Sequence, residues 1–198
     1  MSRFTPDRLK GLAVALAVLA VDLAVKAMVL GPWQLRELRH LRATSGWPAD
    51  RADMEILPFF GLTWTQNFGV SLGMFTADTA EARWILVGVT ALVALVVFAW
   101  MLTEKKLGDI IALGLVLGGA MGNIRDRAWY GYVIDYADLH FGAWRPFLIF
   151  NIADAAISIG VVIILARALF LREKPPETNG DACETPEPGG AGAAAETK

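Results

Sequence analysis

Gly119-AMGNIRDRAWYGYVIDYADLHFGAWRPFLIFNIA-Asp154 is the stretch around which the rest of the chain is organised. It gathers Asp126, Asp135, Asp138 and Asp154 with Asn123, Asn151, Arg125 and Arg127, and long apolar segments lie on either side. Ionisable groups set against helices of hydrocarbon length are costly to keep, so they mark a functional site by default. The expectation is a two-aspartate active site at a membrane surface.

Composition points the same way. Of 198 residues, 55% are hydrophobic and only 19% charged, with a mean hydropathy of +0.45. The apolar residues are gathered into long runs, as in membrane proteins. A net charge of −2 with no basic stripe gives no sign of a nucleic-acid partner. The single cysteine, Cys183, excludes an intrachain disulfide framework and a multi-cysteine metal site. Neither His40 nor His140 has a partner at ligand spacing, so no metal and no cofactor is expected.

Four spans are expected, at about 11–31, 84–102, 107–125 and 147–171. Gly11–Gly31 has 21 residues, which at the helical rise gives roughly 31 Å, enough to cross the hydrocarbon core. Asp22 and Lys26 fall where a cleavable signal peptide would need small residues, so this reads as a retained helix. Being four apart, these two share a helix face. They either pair near the interface or turn inward to brace the site, and spacing does not choose between these. Trp84–Leu102 carries tryptophan near both ends, as interfacial anchoring requires. The 103–108 segment is a tight turn, and Asp109 sits in the first turn of the next helix, where the dipole favours a carboxylate. The third span is glycine-rich, which permits close backbone approach.

The insert at 32–81 is too long for a plain connector. Trp33–Trp47 carries Arg36, Arg39 and Arg42 at helical spacing among leucines, suggesting a short interfacial amphipathic helix. Met54–Phe75 is aromatic and β-branched, with turn signals, and reads as two short strands with a glycine-rich end. On local pattern Asn67 is a turn residue. Residues 1–172 form one membrane-embedded domain, and 173–198 read as a disordered tail. Basic residues near the spans number eight on each side, so the charge rule leaves the orientation open.

Asn123/Asp126 and Asn151/Asp154 are each three apart, placing amide and carboxylate on one face if helical. Asp126, between Arg125 and Arg127, is expected to pair with arginine, and Asp138 to be solvated. Asp135 and Asp154 remain as unpaired candidates. Two carboxylates sharing a partly desolvated site hold one proton between them, so one can take a proton from water while the other donates to a carbonyl.

The ordered motifs Asp22-LAV-Lys26, Asn67-FG, Gly122-NIRD-Arg127, Val133-ID-Tyr136 and Phe150-NIADAA-Ile157 resemble those of the lipoprotein signal peptidase (signal peptidase II) family, over roughly residues 12–170. The last three motifs are highly specific. The resemblance implies an all-α polytopic membrane protein with four transmembrane helices, a small extracytoplasmic β-sheet cradle and an interfacial helix, with both termini cytoplasmic. It implies an aspartyl endopeptidase of the bacterial inner membrane that cuts prolipoproteins just before a diacylglyceryl-modified cysteine. Asp135 and Asp154 map to the catalytic pair, and Asp126 to structural support. Asn67, Asn123, Arg127 and Asn151 match polar residues lining the site, while Asp22 and Lys26 belong to its supporting set. The expected partners are prolipoprotein and membrane lipids, with the enzyme a monomer. Two departures stand out: Leu23 where the family often has glutamine, and Val70-Ser-Leu72 where it has Ala-Ala-Phe. The rival expectation is a small transporter or lipid-binding protein with the aspartates as a proton relay, which would more naturally spread them across membrane depth.

Overall fold

The computed structural model describes residues 5–48, 51–69, 80–142 and 144–170. Its helices are α1 (Pro6–Leu30), α2 (Leu35–Thr44), α3 (Ala80–Thr103), α4 (Leu107–Tyr130) and α5 (Ile152–Phe170). Its strands are β1 (Met54–Leu57), β2 (Phe60–Asn67) and β3 (Val133–Leu139). The helices α1, α3, α4 and α5 are long and apolar enough to cross a membrane. The expected tail at 173–198, the glycine-rich end at 70–75 and the departing residues Val70, Ser71 and Leu72 lie outside the described residues.

Helix α4 is the hub, packed against α1, α3 and α5, and it is the most buried of the four long helices. Small residues make that possible. A Cβ on Gly122 would sit 2.6 Å from Asp22 Oδ2, so only glycine lets the α1 carboxylate reach past α4. Gly131 ends α4 at φ +89°, in the left-handed region, and its N–H closes on the Arg127 carbonyl. By contrast, α3 buries only Ala94 and Met101 and leaves Ile85, Val89, Leu92, Val96 and others exposed, a surface suited to lipid.

At the end of the bundle away from the sheet, two polar ties join the helices. Arg8 Nη2 donates to the Glu104 carbonyl (3.3 Å), and Arg167 Nε donates to Asp109 Oδ1 (2.6 Å). Asp109, assigned only a dipole role from sequence, therefore also bonds α4 to α5.

At the other end the three strands form an antiparallel sheet in the order β1-β2-β3. Between Leu62↔Ala137 and Thr65↔Asp135 the register shifts, a bulge that changes which face later residues take. Leu62, Trp64, Ile134 and Tyr136 pack with Val29 and Leu35 into one core cluster. Helix α2 docks on this layer through buried Leu35 and half-buried Leu38. Two of its arginines are engaged: Arg39 reaches Asp53 at 3.2 Å, and the Arg42 guanidinium lies 3.7 Å from the Trp47 ring centre.

The fourth helix starts at Ile152, not at Phe147 as hydropathy alone indicated. Phe147–Asn151 is non-helical, and Phe150 pairs with Ala137 of β3. The cause is Asn151, whose Oδ1 accepts the Asp154 N–H at 2.9 Å, an N-cap that sets where the helix begins.

Candidate active site

Asp135 sits on β3 directly opposite Thr65, and beyond the bulge Asn67 falls on the same face one diagonal step away. Asn67 Nδ2 donates to Asp135 Oδ2 at 3.0 Å, and Asn67 Oδ1 accepts the Gly69 N–H at 2.8 Å. The side chain that makes the turn inferred locally is thus also the one that bonds Asp135. The other Asp135 oxygen accepts Asn151 Nδ2 at 2.7 Å.

Asn151 joins the two aspartates. It caps α5 through Oδ1, donates to Asp135, and lies 3.3 Å from Asn123 Oδ1. Asn123 in turn donates to Asp154 Oδ1 at 2.7 Å. A continuous amide chain therefore runs Asn67–Asp135–Asn151–Asn123–Asp154, drawing on β2, β3, the cap of α5, α4 and α5. Burial, and then the charge of Asp154, raise the Asp135 pKa to about 7, against the opposing bonds from Asn67 and Asn151.

A second, charged layer lies beneath. Lys26 Nζ is 2.7 Å from Asp22 Oδ2 and 2.7 Å from Asp126 Oδ2, with all three side chains buried. The inward alternative for Asp22 and Lys26 is therefore the one adopted. Asp22 Oδ1 also accepts the Ala153 N–H (3.1 Å), and Asp126 Oδ2 accepts the Ile134 N–H (3.3 Å). These are the residues immediately before Asp154 and Asp135. The expected arginine pairing of Asp126 is present with Arg125 at 3.3 Å, but the closer partner is Lys26, a hundred positions away in sequence. Arg127 makes no ion pair among the described residues. Its Nε is buried without a hydrogen-bond partner, and its guanidinium lies against Gly69.

Asp138 is the clear correction. Far from being solvated, it is buried, and its carboxylate accepts Arg145 Nε (2.9 Å), Arg145 Nη2 (3.1 Å) and Thr63 Oγ1 (2.8 Å). Burial alone would raise its pKa, but the bonds from Arg145 and Thr63 outweigh it and hold the carboxyl below the usual range. Thr63, 75 positions from Asp138, gave no local sequence signal, and Arg145, seven positions on, is too far along the chain for direct pairing within one helix or strand.

Two open cavities, each of about 550 Å³, flank the segment Pro146-Phe-Leu148. One is bordered by Asp135, Asn67, Gly69 and Arg145. The other, more apolar, runs from Asp154 past Phe150 to Ser158 and Ile159 on α5. Among the described residues no three His, Cys, Asp or Glu side chains converge as a metal set.

Four membrane-length helices, with carboxylates beside open cavities at one end of the bundle, define a multi-pass membrane protein. Residues 14–170 match the signal peptidase (SPase) II family. The chain is 49% identical to a lipoprotein signal peptidase of Rhizorhabdus wittichii over 87% of its own length and 93% of the relative's. It is 56% identical to one from Sphingopyxis alaskensis over 63% and 72% of the two lengths. A solved bacterial membrane enzyme shares the fold with a TM-score of 0.61 at 22% identity, covering 81% of this chain and 87% of that one. The chain belongs to the signal peptidase II family: it is a bacterial membrane peptidase that processes the signal peptides of prolipoproteins.

Proposed function

We propose that the protein is an intramembrane aspartyl endopeptidase in which Asp135 and Asp154 act as one acid–base pair. The observation that carries this is the amide chain, which orients both carboxylates from neutral donors and leaves them beside open cavities. The ionised member takes a proton from water, and the water oxygen attacks the scissile carbonyl. The protonated member donates to the carbonyl oxygen as it becomes a hydroxyl. The proton then moves to the leaving amine as the C–N bond breaks.

Cleavage falls just before the diacylglyceryl cysteine of a prolipoprotein. The signal helix enters laterally, the lipid chains stay in the bilayer, and Arg127 meets substrate backbone or headgroup beside Gly69. The site lies near the extracytoplasmic face of the inner membrane, both termini are cytoplasmic, and the enzyme works as a monomer. Asn67, Asn123 and Asn151 orient the pair, while Asp22, Lys26 and Asp126 support the backbone behind it.

Incubating the purified protein with a diacylglyceryl prolipoprotein tests this directly. Wild type releases the signal peptide and is blocked by a cyclic-peptide peptidase inhibitor. Asp135→Asn and Asp154→Asn fold normally and release none. Full activity in either variant refutes the assignment.

A further inference from the structure

Asp138 is a buried carboxylate that the proposed chemistry leaves unused, and its partner Arg145 opens the segment dividing the two cavities. After β3 the chain leaves the sheet beyond His140, whose N–H bonds the Phe59 carbonyl, and Phe150 rejoins Ala137. At the tip, Phe141 and Trp144 pair through both backbone bonds (2.8 and 3.3 Å), with Gly142 at φ +64°. Phe141 also stacks on Phe59 of the β1–β2 turn, ring centres 6.4 Å apart. The base is the Phe150–Ala137 bridge. Between tip and base lie Pro146, Phe147 and Leu148, and this wall has little burial of its own to hold it: Phe147 is 63% and Leu148 77% exposed.

What does hold it is the fork of Arg145. Its Nε and Nη2 meet both oxygens of Asp138, a bidentate geometry that fixes direction as well as distance. Asp138 is itself immobilised on β3, with Thr63 of β2 donating to it and His140 Nδ1 3.8 Å away. The anchor is thus rigid on the sheet side and acts on the residue immediately before the wall. Asp135 lies on the same strand three residues earlier, so the fork sets the wall relative to the reacting carboxylate.

We infer that Asp138 and Arg145 form a latch that positions the Pro146–Leu148 wall, and through it the substrate, between the cavity at Asp135 and the apolar groove at Asp154. They are positioning residues, touching the reacting groups only through the wall. Inasmuch as it concerns substrate, this rests on the peptidase assignment above. The amide chain around the aspartates draws nothing from either residue, so loss of the latch acts on substrate binding and not on the proton transfer.

The test measures steady-state cleavage of a diacylglyceryl prolipopeptide by Arg145→Ala, Arg145→Lys, Asp138→Asn and the double variant Asp138→Asn/Arg145→Ala. Thermal unfolding is followed on each. A nitroxide on Leu148→Cys, in a Cys183→Ser background, reports wall motion without needing activity. The expected result is a KM raised about tenfold with kcat within about twofold. The rise is equal in Arg145→Ala, Asp138→Asn and the double variant, because the two residues act as one unit. Arg145→Lys falls between, keeping charge but losing the fork, and the nitroxide gains mobility at temperatures where each variant remains folded. Arg145 is partly exposed, so its variants keep the test open should Asp138→Asn fail to fold. Unchanged KM and unchanged nitroxide mobility overturn the latch, as does a fall in kcat and melting temperature with KM unmoved. If wild type cleaves nothing, yet Arg145→Ala frees the nitroxide, the latch stands and the peptidase assignment falls.

Discussion

Replacing Gly122 with alanine tests whether the packing of α4 on Asp22 governs both stability and catalysis. The added Cβ would lie 2.6 Å from Asp22 Oδ2, where ordinary contact begins near 3.4 Å, and 3.4 Å from the Ala153 Cβ. Asp22 cannot swing away freely, because Lys26 holds one oxygen at 2.7 Å and the Ala153 N–H holds the other at 3.1 Å. Either α4 retreats by several tenths of an ångström or one of those bonds breaks. Overpacking of this kind costs about 1–3 kcal/mol, and breaking a bond to the buried charge costs about as much. The next residue, Asn123, donates to Asp154 at 2.7 Å, so retreat of α4 also misplaces a carboxylate of the proposed pair. Misplacement approaching 1 Å lowers rates by about a hundredfold. Gly88→Ala is the matched control, since nothing lies within 4 Å of a Cβ there, and the alanine favours the helix by up to about 1 kcal/mol. The assay is thermal unfolding in detergent beside prolipopeptide cleavage. If Gly122→Ala matches Gly88→Ala in both, the close approach of α4 and Asp22 constrains nothing and the reasoning fails.

Lys26→Met leaves two buried carboxylates without their cation and is expected to destabilise by about 3–5 kcal/mol, read as a lowered denaturant midpoint; unchanged stability contradicts the triad. With its pKa raised from 3.8 to about 7, Asp135 holds its proton in mildly acidic solution and loses it as pH rises through about 7. The alkaline limb of kcat/KM should therefore lie near there. The folded protein then binds more protons than the unfolded chain between about 4 and 7, so this group's contribution to stability falls as pH climbs through that window. Asn67→Ala removes a bond that lowers the Asp135 pKa, and shifts the alkaline limb upward; a downward shift speaks against Asn67 as donor. Arg167→Ala breaks the partly exposed pair with Asp109 and should cost no more than about 1 kcal/mol, with cleavage unaffected in the same assay.

Hydropathy located the four long helices because lipid-facing residues must be apolar along their whole length, whatever their partners. It misplaced the start of α5, because Phe147-Leu-Ile-Phe150 is as apolar as a helix interior, and only the Asn151 cap separates the two conformations. Asn123, Asn151 and Asp154 were legible as a cluster because Asn123/Asp126 and Asn151/Asp154 have helical spacing near span ends, and Asp135 lies in the segment that joins those two spans. The Lys26–Asp126 pair was not, since nothing local in either helix points to a partner a hundred positions away. Asp138 was misjudged for a related reason: a carboxylate near a loop reads as solvated unless Thr63 and Arg145 are already known to surround it.

The buried Asp22–Lys26–Asp126 triad also bears on how the chain enters the bilayer. The first helix carries its own neutral pair, so Asp22 and Lys26 can enter lipid together. The third of the four long helices, α4, brings Asp126 with no lysine within Leu107–Tyr130 and has the lowest mean hydropathy of the four. It is therefore the helix least suited to lipid alone and the one that most needs α1 already in place. Insertion and folding are coupled at this point. Lys26 enters as half of a local pair and finishes as the bridge between two helices, so a chain lacking it is expected to stall at the third crossing, before the sheet residue Asp135 has been delivered to its partner on α5.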